Sequence, residues 1–253
     1  MKITFIGAGN MGGAIIKGLL NTTKIKPKDV FVIDPNEEIR QAFEKLGCNT
    51  FDTCNKETLL NTLGNITVVA VKPWQWEHVA NLLVDTKTLV VSVIAGLSVD
   101  TIKMQLRTEK VAAVIPNIAV EFGAGFTAVN SNNQKTADEV INLFAHLGRA
   151  VQVNEKELQV AMALGSCGLA YALRYAHANM NGATEMGMSP ANAQKIMAAT
   201  LRGAAALLEK EGTHPEVEID KITTPGGITI KGLNKLEEHN FSHAVIQALK
   251  HSK

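Results

Sequence analysis

Apolar residues follow two alternating patterns along the first 150 or so positions. Short runs of consecutive apolar or β-branched residues predict strands, and stretches with helical spacing separate them. The predicted strands are residues 3–6, 30–33, 67–71, 89–93, 111–115 and 126–129, with a further short one between Cys48 and Cys54. Continuous apolar strands that alternate with helices are typical of a mostly parallel sheet covered on both faces. We therefore predict a doubly wound α/β domain over residues 1–153.

The pattern changes after about residue 153. Residues 155–181 carry no strand signal and predict one long, alanine-rich helix. Ser189 and Pro190 predict the N-cap and first turn of another helix, and residues 241–250 predict a last amphipathic one. The chain from residue 154 to residue 253 is therefore predicted to be an all-helical domain. Because its helices are apolar on most sides, we expect them to be buried against a partner subunit.

Composition and charge narrow the classes of function. The chain has 253 residues, with 25 lysines and arginines against 24 acidic residues, and has no run of five basic residues. We therefore expect neither a nucleic-acid partner nor a membrane partner. Three irregularly spaced cysteines without a C-x-x-C pair favour a reducing, cytoplasmic location and no metal site. No uninterrupted apolar run reaches the roughly 18 residues of a transmembrane helix.

A glycine-rich turn lies between the first predicted strand and the first predicted helix. Gly7, Gly9 and Gly12 fit the pattern G-x-G-x-x-G. The first glycine permits a tight turn, the second lets the backbone approach a pyrophosphate, and the third packs the helix against the strand. We therefore predict a Rossmann-like dinucleotide site that includes Asn10 and Met11, whose backbone begins the helix. The alternative is a glycine turn that binds no ligand.

An acidic residue ends the second predicted strand. Asp34 lies 22 residues beyond Gly12, close to the roughly 20 expected of an acid that hydrogen-bonds the adenine ribose. A carboxylate at this position would repel a 2′-phosphate, so Asp34 favours NADH over NADPH. The alternative is that Asp34 caps the turn formed by Pro35 and Asn36.

Five motifs spread over nearly the whole chain resemble one enzyme family. They are FIGAGNMGGAI at the start, AVKP at 70–73, VVSVIAGLS at 90–98, IPN at 115–117 and TPGGIT at 224–229. Together they identify the chain as similar to pyrroline-5-carboxylate reductase, the last enzyme of proline biosynthesis. The glycine motif alone does not distinguish this family from other dehydrogenases, whereas TPGGIT within a helical C-terminal domain is more specific.

The resemblance implies a reaction and a set of site residues. Hydride would pass from NADH or NADPH to pyrroline-5-carboxylate, giving L-proline, in an enzyme that self-associates as a dimer or larger oligomer through its helical domain. Besides the glycine turn, the cofactor-binding residues implied are Asn55, Ala70, Lys72, Pro73 and Asn117. Lys72 is either a cofactor contact, which we prefer, or a catalytic acid.

The Thr224–Thr229 loop is the predicted substrate site. Gly226 and Gly227 precede a helix predicted over residues 230–239, and their free N–H groups suit a carboxylate. The family resemblance assigns Thr224, Gly226, Gly227 and Thr229 to substrate binding, with Thr229 as the catalytic residue that hydrogen-bonds the ring nitrogen. The alternative is a turn that only caps the helix.

Two segments depart from the family pattern. The family has N-T-P where this chain has Asn117-Ile118-Ala119, and G-S-G-P-A-Y where it has residues 166–171. Leu169 replaces the proline, so we expect a straighter helix here.

Two other functions stay open. A reductase of the β-hydroxyacid dehydrogenase type is disfavoured, because that class uses a lysine in a long helix and residues 162–180 contain none. The second alternative is a non-catalytic paralogue that binds dinucleotide. It is suggested by the departures from the family pattern at residues 117–119 and 166–171.

Overall fold

The computed structural model describes residues 1–210 and 212–252, which form two compact units. The first unit is Met1–Ser166 and the second is Cys167–Lys253. Residue contacts divide the chain after Ser166, within a continuous helical segment. The domain boundary that we predict at residue 153 stays a prediction.

The described part of the first unit contains an eight-stranded sheet. Its strands are β1 (Ile3–Ile6), β2 (Val30–Ile33), β3 (Asn49–Phe51), β4 (Ile66–Val69), β5 (Leu89–Ser92), β6 (Val111–Pro116), β7 (Gly125–Asn130) and β8 (Gly148–Gln152). Their order is β3-β2-β1-β4-β5-β6-β7-β8, and every neighbouring pair is parallel except β6 and β7. The predicted doubly wound, mostly parallel sheet is confirmed.

Helices connect and cover these strands. In the first unit they are α1 (Asn10–Asn21), α2 (Glu37–Lys45), α3 (Lys56–Thr62), α4 (Trp76–Leu83), α5 (Val99–Leu106), α6 (Gln134–Phe144) and α7 (Glu155–Met162). In the second unit they are α8 (Gly168–Glu185), α9 (Pro190–Leu208), α10 (Pro215–Ile222), α11 (Ile228–Glu238) and α12 (Phe241–Lys250). Ser189 caps α9 as predicted, because its side chain accepts the Asn192 N–H.

The core of the first unit lies on both faces of the sheet. Successive strand residues point to opposite faces, so Ile3 and Phe5 belong to one buried cluster and Ile6 belongs to the other. Each is at most 2% exposed, and fully burying such a side chain contributes about 1.5–3 kcal/mol. This two-sided burial explains why β1 is uniformly apolar apart from Thr4, whose hydroxyl donates to the Thr62 carbonyl at 2.6 Å.

The helix predicted over residues 155–181 contains a π-helical turn that the sequence did not predict. α7 ends at Met162, a π-helical turn spans Ala163–Cys167, and α8 begins at Gly168. The turn packs closely on β7, since a Cβ at Gly165 would lie 2.2 Å from the Phe126 ring. The straighter helix expected from the replacement of proline by Leu169 stays a prediction.

The second unit buries few of its side chains. Ala176 is the buried residue of α8 and Ala193 is that of α9. α12 packs against α8, because the Tyr171 hydroxyl meets the Ala248 carbonyl and the Ser252 hydroxyl. Large apolar side chains on these helices stay exposed, as expected of a surface that a partner covers.

Candidate dinucleotide site and substrate loop

The three glycines of the first turn differ in how much space surrounds them. Gly7 has a φ of +91°, and a Cβ there would lie 2.7 Å from the Ala70 carbonyl oxygen. A Cβ at Gly12 would lie 2.4 Å from the Gly7 carbonyl oxygen. Gly9 differs, because a Cβ there would meet no atom within 4 Å. Backbone atoms therefore leave no room for a side chain at Gly7 or Gly12, whereas the turn is open to a side chain or a ligand at Gly9.

The open side of this turn fits a pyrophosphate. Gly9 is the N-cap of α1, and the first turn of the helix contains no acidic side chain. The first N–H groups of a helix have no partner within it and carry a partial positive charge. Asn10 is exposed and Met11 half-buried at this end of the helix. The space that a Cβ at Gly9 would enter contains no protein atom, and the pyrophosphate contact predicted there stays a prediction.

Asp34 joins the glycine turn to the loop after β2. The residue is 7% exposed, and its Oδ2 accepts the Ala8 N–H at 2.8 Å. Oδ1 accepts the Asn36 N–H at 2.9 Å, which is the capping arrangement considered above. Each carboxylate oxygen can accept a further hydrogen bond. The ribose contact predicted for Asp34 therefore stays a prediction.

Arg40 follows Asp34 by six residues in the sequence, close enough for its side chain to reach a cofactor phosphate, and it lies at this loop. Its Nη1 donates to the Asp34 carbonyl at 2.9 Å and to the Pro35 carbonyl at 2.8 Å. Its position in the first turns of α2 brings its long side chain back over the preceding loop. A guanidinium has five N–H donors, so others remain for a ligand.

Four other predicted cofactor residues lie after β4 and at the start of α3. Ala70 follows β4, and its N–H donates to the Ile6 carbonyl at 2.8 Å, so it lies beside the glycine turn. Lys72 is exposed, and Pro73 begins a short 3-10 turn. Asn55 is the N-cap of α3, since its Oδ1 accepts the Thr58 N–H at 2.8 Å. The cofactor contacts predicted for these four residues are untested.

Asn117 connects the end of β6 to the π-helical turn. It is 8% exposed, and its Oδ1 accepts the N–H groups of Ala119 and Phe126 at 3.2 and 3.3 Å. Its Nδ2 donates to the Gly165 carbonyl at 2.8 Å. Ser166 adds a second link, because its hydroxyl donates to the Pro116 carbonyl at 3.2 Å. Asn117 thus has a structural role that the sequence did not reveal.

The Thr224–Thr229 loop opens α11 in the second unit. Gly227 is the N-cap and donates its N–H to the Thr224 carbonyl at 2.9 Å. Gly226 has a φ of +70° and no atom within 4 Å of its Cβ position. Thr229 is the second residue of α11 and is half-buried. An uncapped helix start with an open approach fits a carboxylate.

Other chemistry is sparse in the described ranges, 1–210 and 212–252. Burial raises the pKa of the Cys48 and Cys54 thiols to about 11, so both stay protonated at neutral pH and are weak nucleophiles. Those ranges contain no group of three or more His, Cys, Asp and Glu side chains that could hold a metal ion. They also contain no helix with the length and apolar character needed to cross a membrane.

Comparison with known proteins decides the family. Residues 155–253 match the family model described as pyrroline-5-carboxylate reductase dimerisation. Residues 2–96 match the model described as NADP oxidoreductase, coenzyme F420-dependent. A mouse relative, pyrroline-5-carboxylate reductase 3, is 32% identical and aligns with 98% of this chain and 92% of its own length. The chain belongs to the pyrroline-5-carboxylate reductase family.

Two further relatives extend this assignment. Pyrroline-5-carboxylate reductase 1 of Dictyostelium discoideum is 31% identical over 98% of this chain, which spans only 48% of that longer protein. The crystal structure of Plasmodium falciparum pyrroline carboxylate reductase with NADP bound is 26% identical, with a TM-score of 0.85, and covers 100% of this chain and 95% of its own. The predicted pyrroline-5-carboxylate reductase family and its class, a nicotinamide-dependent oxidoreductase, are confirmed.

Proposed function

We propose that this protein reduces pyrroline-5-carboxylate to L-proline with NADH or NADPH. The observation that carries the proposal is the glycine turn, closed on the protein side and open at Gly9, in a chain that aligns along 98% of its length with a reductase of this name. The helix start at Gly227 supports it, because the substrate carries a carboxylate that such a start can bind.

The reaction adds a hydride to the C5 carbon of the imine and leaves a proton on the ring nitrogen. The nicotinamide, when bound, supplies the hydride. The N–H groups at the start of α1 would hold its pyrophosphate, and Asp34 would accept from the ribose. Ala70, Lys72, Pro73 and Asn117 would border the remainder of the cofactor, and Asn55 would contact its ribose or phosphate. An imine that binds already protonated needs no acidic side chain, so the chain's task is positioning and electrostatics.

The Thr224–Thr229 loop would orient the substrate. The N–H groups around Gly226 and Gly227 would bind the carboxylate, since they lie at the positive end of α11. The Thr229 hydroxyl would hydrogen-bond the ring nitrogen and direct the face of the imine that receives the hydride. Thr224 would shape the loop, because its carbonyl already accepts the Gly227 N–H.

The test is an assay of the purified full chain with pyrroline-5-carboxylate and each coenzyme. We expect L-proline to form in proportion to the coenzyme oxidised. A chain that binds dinucleotide but forms no proline with either coenzyme would instead be the non-catalytic paralogue. Turnover of a small β-hydroxyacid with NAD, without proline formation, would favour the dehydrogenase alternative.

We infer that the enzyme prefers NADH, with NADPH usable but poorer. The support is the negative charge of Asp34 beside the glycine turn. Arg40 opposes it, because spare guanidinium N–H groups at the same loop suit a 2′-phosphate. The measurement is kcat/KM for both coenzymes in the parent, Asp34→Ser and Arg40→Gln. We expect Asp34→Ser to narrow or reverse the ratio and Arg40→Gln to weaken NADPH alone. A parent that favours NADPH by about tenfold, or 1.4 kcal/mol, contradicts the inference.

We also infer that the helical second unit binds a second copy of the chain. The support is the dimerisation model that matches residues 155–253, together with the exposed apolar side chains of α8, α9 and α12. Cytoplasmic location and the lack of a nucleic-acid or membrane partner stay predictions from composition.

A further inference from the structure

A cavity lies at the amino ends of the central strands, at the opposite end of the strands from the glycine turn. It is lined by residues 63–65, 86–89 and Lys110, which lie at or just before the first residues of the parallel strands β4, β5 and β6. The start of α6 also lines it, because antiparallel β7 brings the chain back to this edge. Gly7 follows the carboxyl end of β1, whereas these segments lie at the amino ends of the strands. The cavity has a volume of about 640 Å³ and is separate from the proposed dinucleotide site.

The charged side chains around this cavity are mostly basic. Lys87, Lys110 and Lys135 line it, and Glu139 is the only acidic lining residue of the described chain. Within the same ranges, none of the three ammonium groups lies within 4.0 Å of a carboxylate. Like charges gathered without partners repel one another, and an anion bound among them would relieve this repulsion.

The first turn of α6 faces the same cavity. Asn133 caps it by accepting the Thr136 N–H at 3.0 Å, and the N–H groups of Gln134 and Lys135 have no acceptor within the helix. No acidic side chain occupies this turn. Thr136 lines the cavity and is 5% exposed. Thr86 also lines it, and its hydroxyl is buried with no hydrogen-bond partner in the described ranges. A buried hydroxyl without a partner is rare, and a ligand would satisfy it.

We propose that this cavity binds a phosphate dianion, either as inorganic phosphate or as the phosphate group of a small ester. Three lysines against one glutamate leave two positive charges, which match the dianion. The free N–H groups of α6 and the Thr86 hydroxyl supply the directed donors that a phosphate requires. The cavity exceeds the size of one phosphate, so the organic part of an ester has room beside it.

The test measures phosphate binding with the dinucleotide site saturated by NADH, so that the glycine turn cannot bind the probe. Inorganic phosphate and glycerol 3-phosphate are titrated separately by calorimetry. The first variant combines Lys87→Gln, Lys110→Gln and Lys135→Gln, and we expect it to bind at least about tenfold more weakly. The second is Thr86→Val, which changes no charge and should bind several-fold more weakly. Thermal unfolding and coenzyme turnover of each variant check that it is folded.

A matched control combines Lys24→Gln, Lys26→Gln and Lys28→Gln, three exposed lysines of the first unit outside the cavity. It removes the same charge and should change the affinity less than about twofold, because the Debye length at physiological salt is only about 8 Å. Equal losses in the two triple variants would mean non-specific attraction and overturn the proposal. Titrations that never saturate would overturn it as well. Saturation by either probe supports the site, and the tighter probe identifies the source of the phosphate.

Discussion

Gly9 and Gly12 lie in one turn but tolerate side chains very differently. Gly9 has φ −64° and ψ −158°, which any residue adopts, and its Cβ position is open. Gly9→Val should therefore leave the thermal unfolding temperature nearly unchanged while its branched carbons occupy the phosphate position. We expect dinucleotide affinity to fall by about tenfold or more, or 1.4 kcal/mol, as measured by NADH fluorescence.

Gly12→Val serves as the contrast to that variant. Its Cβ would lie 2.4 Å from the Gly7 carbonyl oxygen, so the turn itself must move and the unfolding temperature should fall. A Gly9→Val protein that folds and binds NADH like the parent would remove the glycine turn from the cofactor site.

Thr229 tests the substrate loop at the level of one hydroxyl. Thr229→Ala removes a hydrogen bond worth about 0.5–1.5 kcal/mol, or more with a charged partner. We expect a higher KM for pyrroline-5-carboxylate and a lower kcat, with the coenzyme KM little changed. Thr229→Ser keeps the hydroxyl and should restore most of the activity. Steady-state kinetics identical to the parent in Thr229→Ala would place the substrate elsewhere.

The hydrogen bonds of Glu218 make the stability of the second unit depend on pH. Hydrogen bonds from Lys221, at 2.7 Å, and from Thr213 hold the pKa of this buried carboxyl below its ordinary value of 4.5. A pKa lowered by folding adds stability above pH 4.5, and this stability is lost as the pH falls through the lowered value.

Glu218→Gln should therefore melt below the parent at neutral pH. The two melting temperatures should converge as the pH is lowered past 4.5 and through the folded-state pKa. Glu216→Gln, an exposed glutamate of the same helix, is the control and should leave the melting profile unchanged. A constant difference between Glu218→Gln and the parent at every pH would assign the effect to packing alone.

At the scale of elements, Asn117 attaches β6 to the π-helical turn. Asn117→Asp keeps an oxygen for the Ala119 and Phe126 N–H groups but replaces the donor that faces the Gly165 carbonyl. We expect the free energy of unfolding in denaturant to fall by about 1–3 kcal/mol, because a buried acceptor loses its partner.

Ser166→Ala, which removes the weaker link at 3.2 Å, should have a smaller effect on the same free energy. The coenzyme KM separates the two roles of Asn117. A raised coenzyme KM with unchanged stability would instead support the cofactor contact that the sequence predicts.

The elements that the sequence predicted well are those with their own local signal. β1 and β2 match their predicted residues, and α12 matches its predicted range, because continuous apolar runs and helical spacing are readable without tertiary information. β8 was missed, since it contains Arg149 and Gln152 and lies at the sheet edge. The reversal at β7 and the π-helical turn depend on contacts distant in sequence.

The same division holds for the candidate site. The glycine turn was predicted because its constraint is local: Gly7 and Gly12 lie against backbone atoms, and Gly9 has free space beside it. The Asp34 bond to Ala8 joins residues 26 positions apart, and the Asn117 bond to Gly165 joins residues 48 apart. No periodicity in the sequence encodes such pairings, so these functions of Asp34 and Asn117 required the structure.

At the scale of the whole molecule, the second unit lacks enough interior to cover its apolar side chains. Exposed examples are Leu173, Met186, Ile196, Leu208, Ile228 and Ile246. Exposed apolar patches of this kind mark interaction surfaces. Light scattering of the purified protein should therefore give the mass of a dimer or a larger oligomer.

Leu173→Glu should shift this mass toward the monomer, because a charge would be buried in the interface. Met104→Glu changes an apolar residue of α5 in the first unit that is also more than half exposed, and it should leave the mass unchanged. A parent protein that is an active monomer would contradict the inferred self-association.

The strand order has a consequence for how the chain folds. Ile3 pairs with Val30, 27 residues on, and with Ile66, 63 residues on, so β1 gains its second neighbour only when β4 docks. Closing so long a loop costs entropy before any contact repays it, which makes this step slow. Gly7 backs directly onto Ala70, just beyond β4, so the phosphate-binding turn is completed in that same step. During refolding, recovery of coenzyme binding should therefore coincide with β1–β4 pairing and lag behind formation of the local β1–β2 pair.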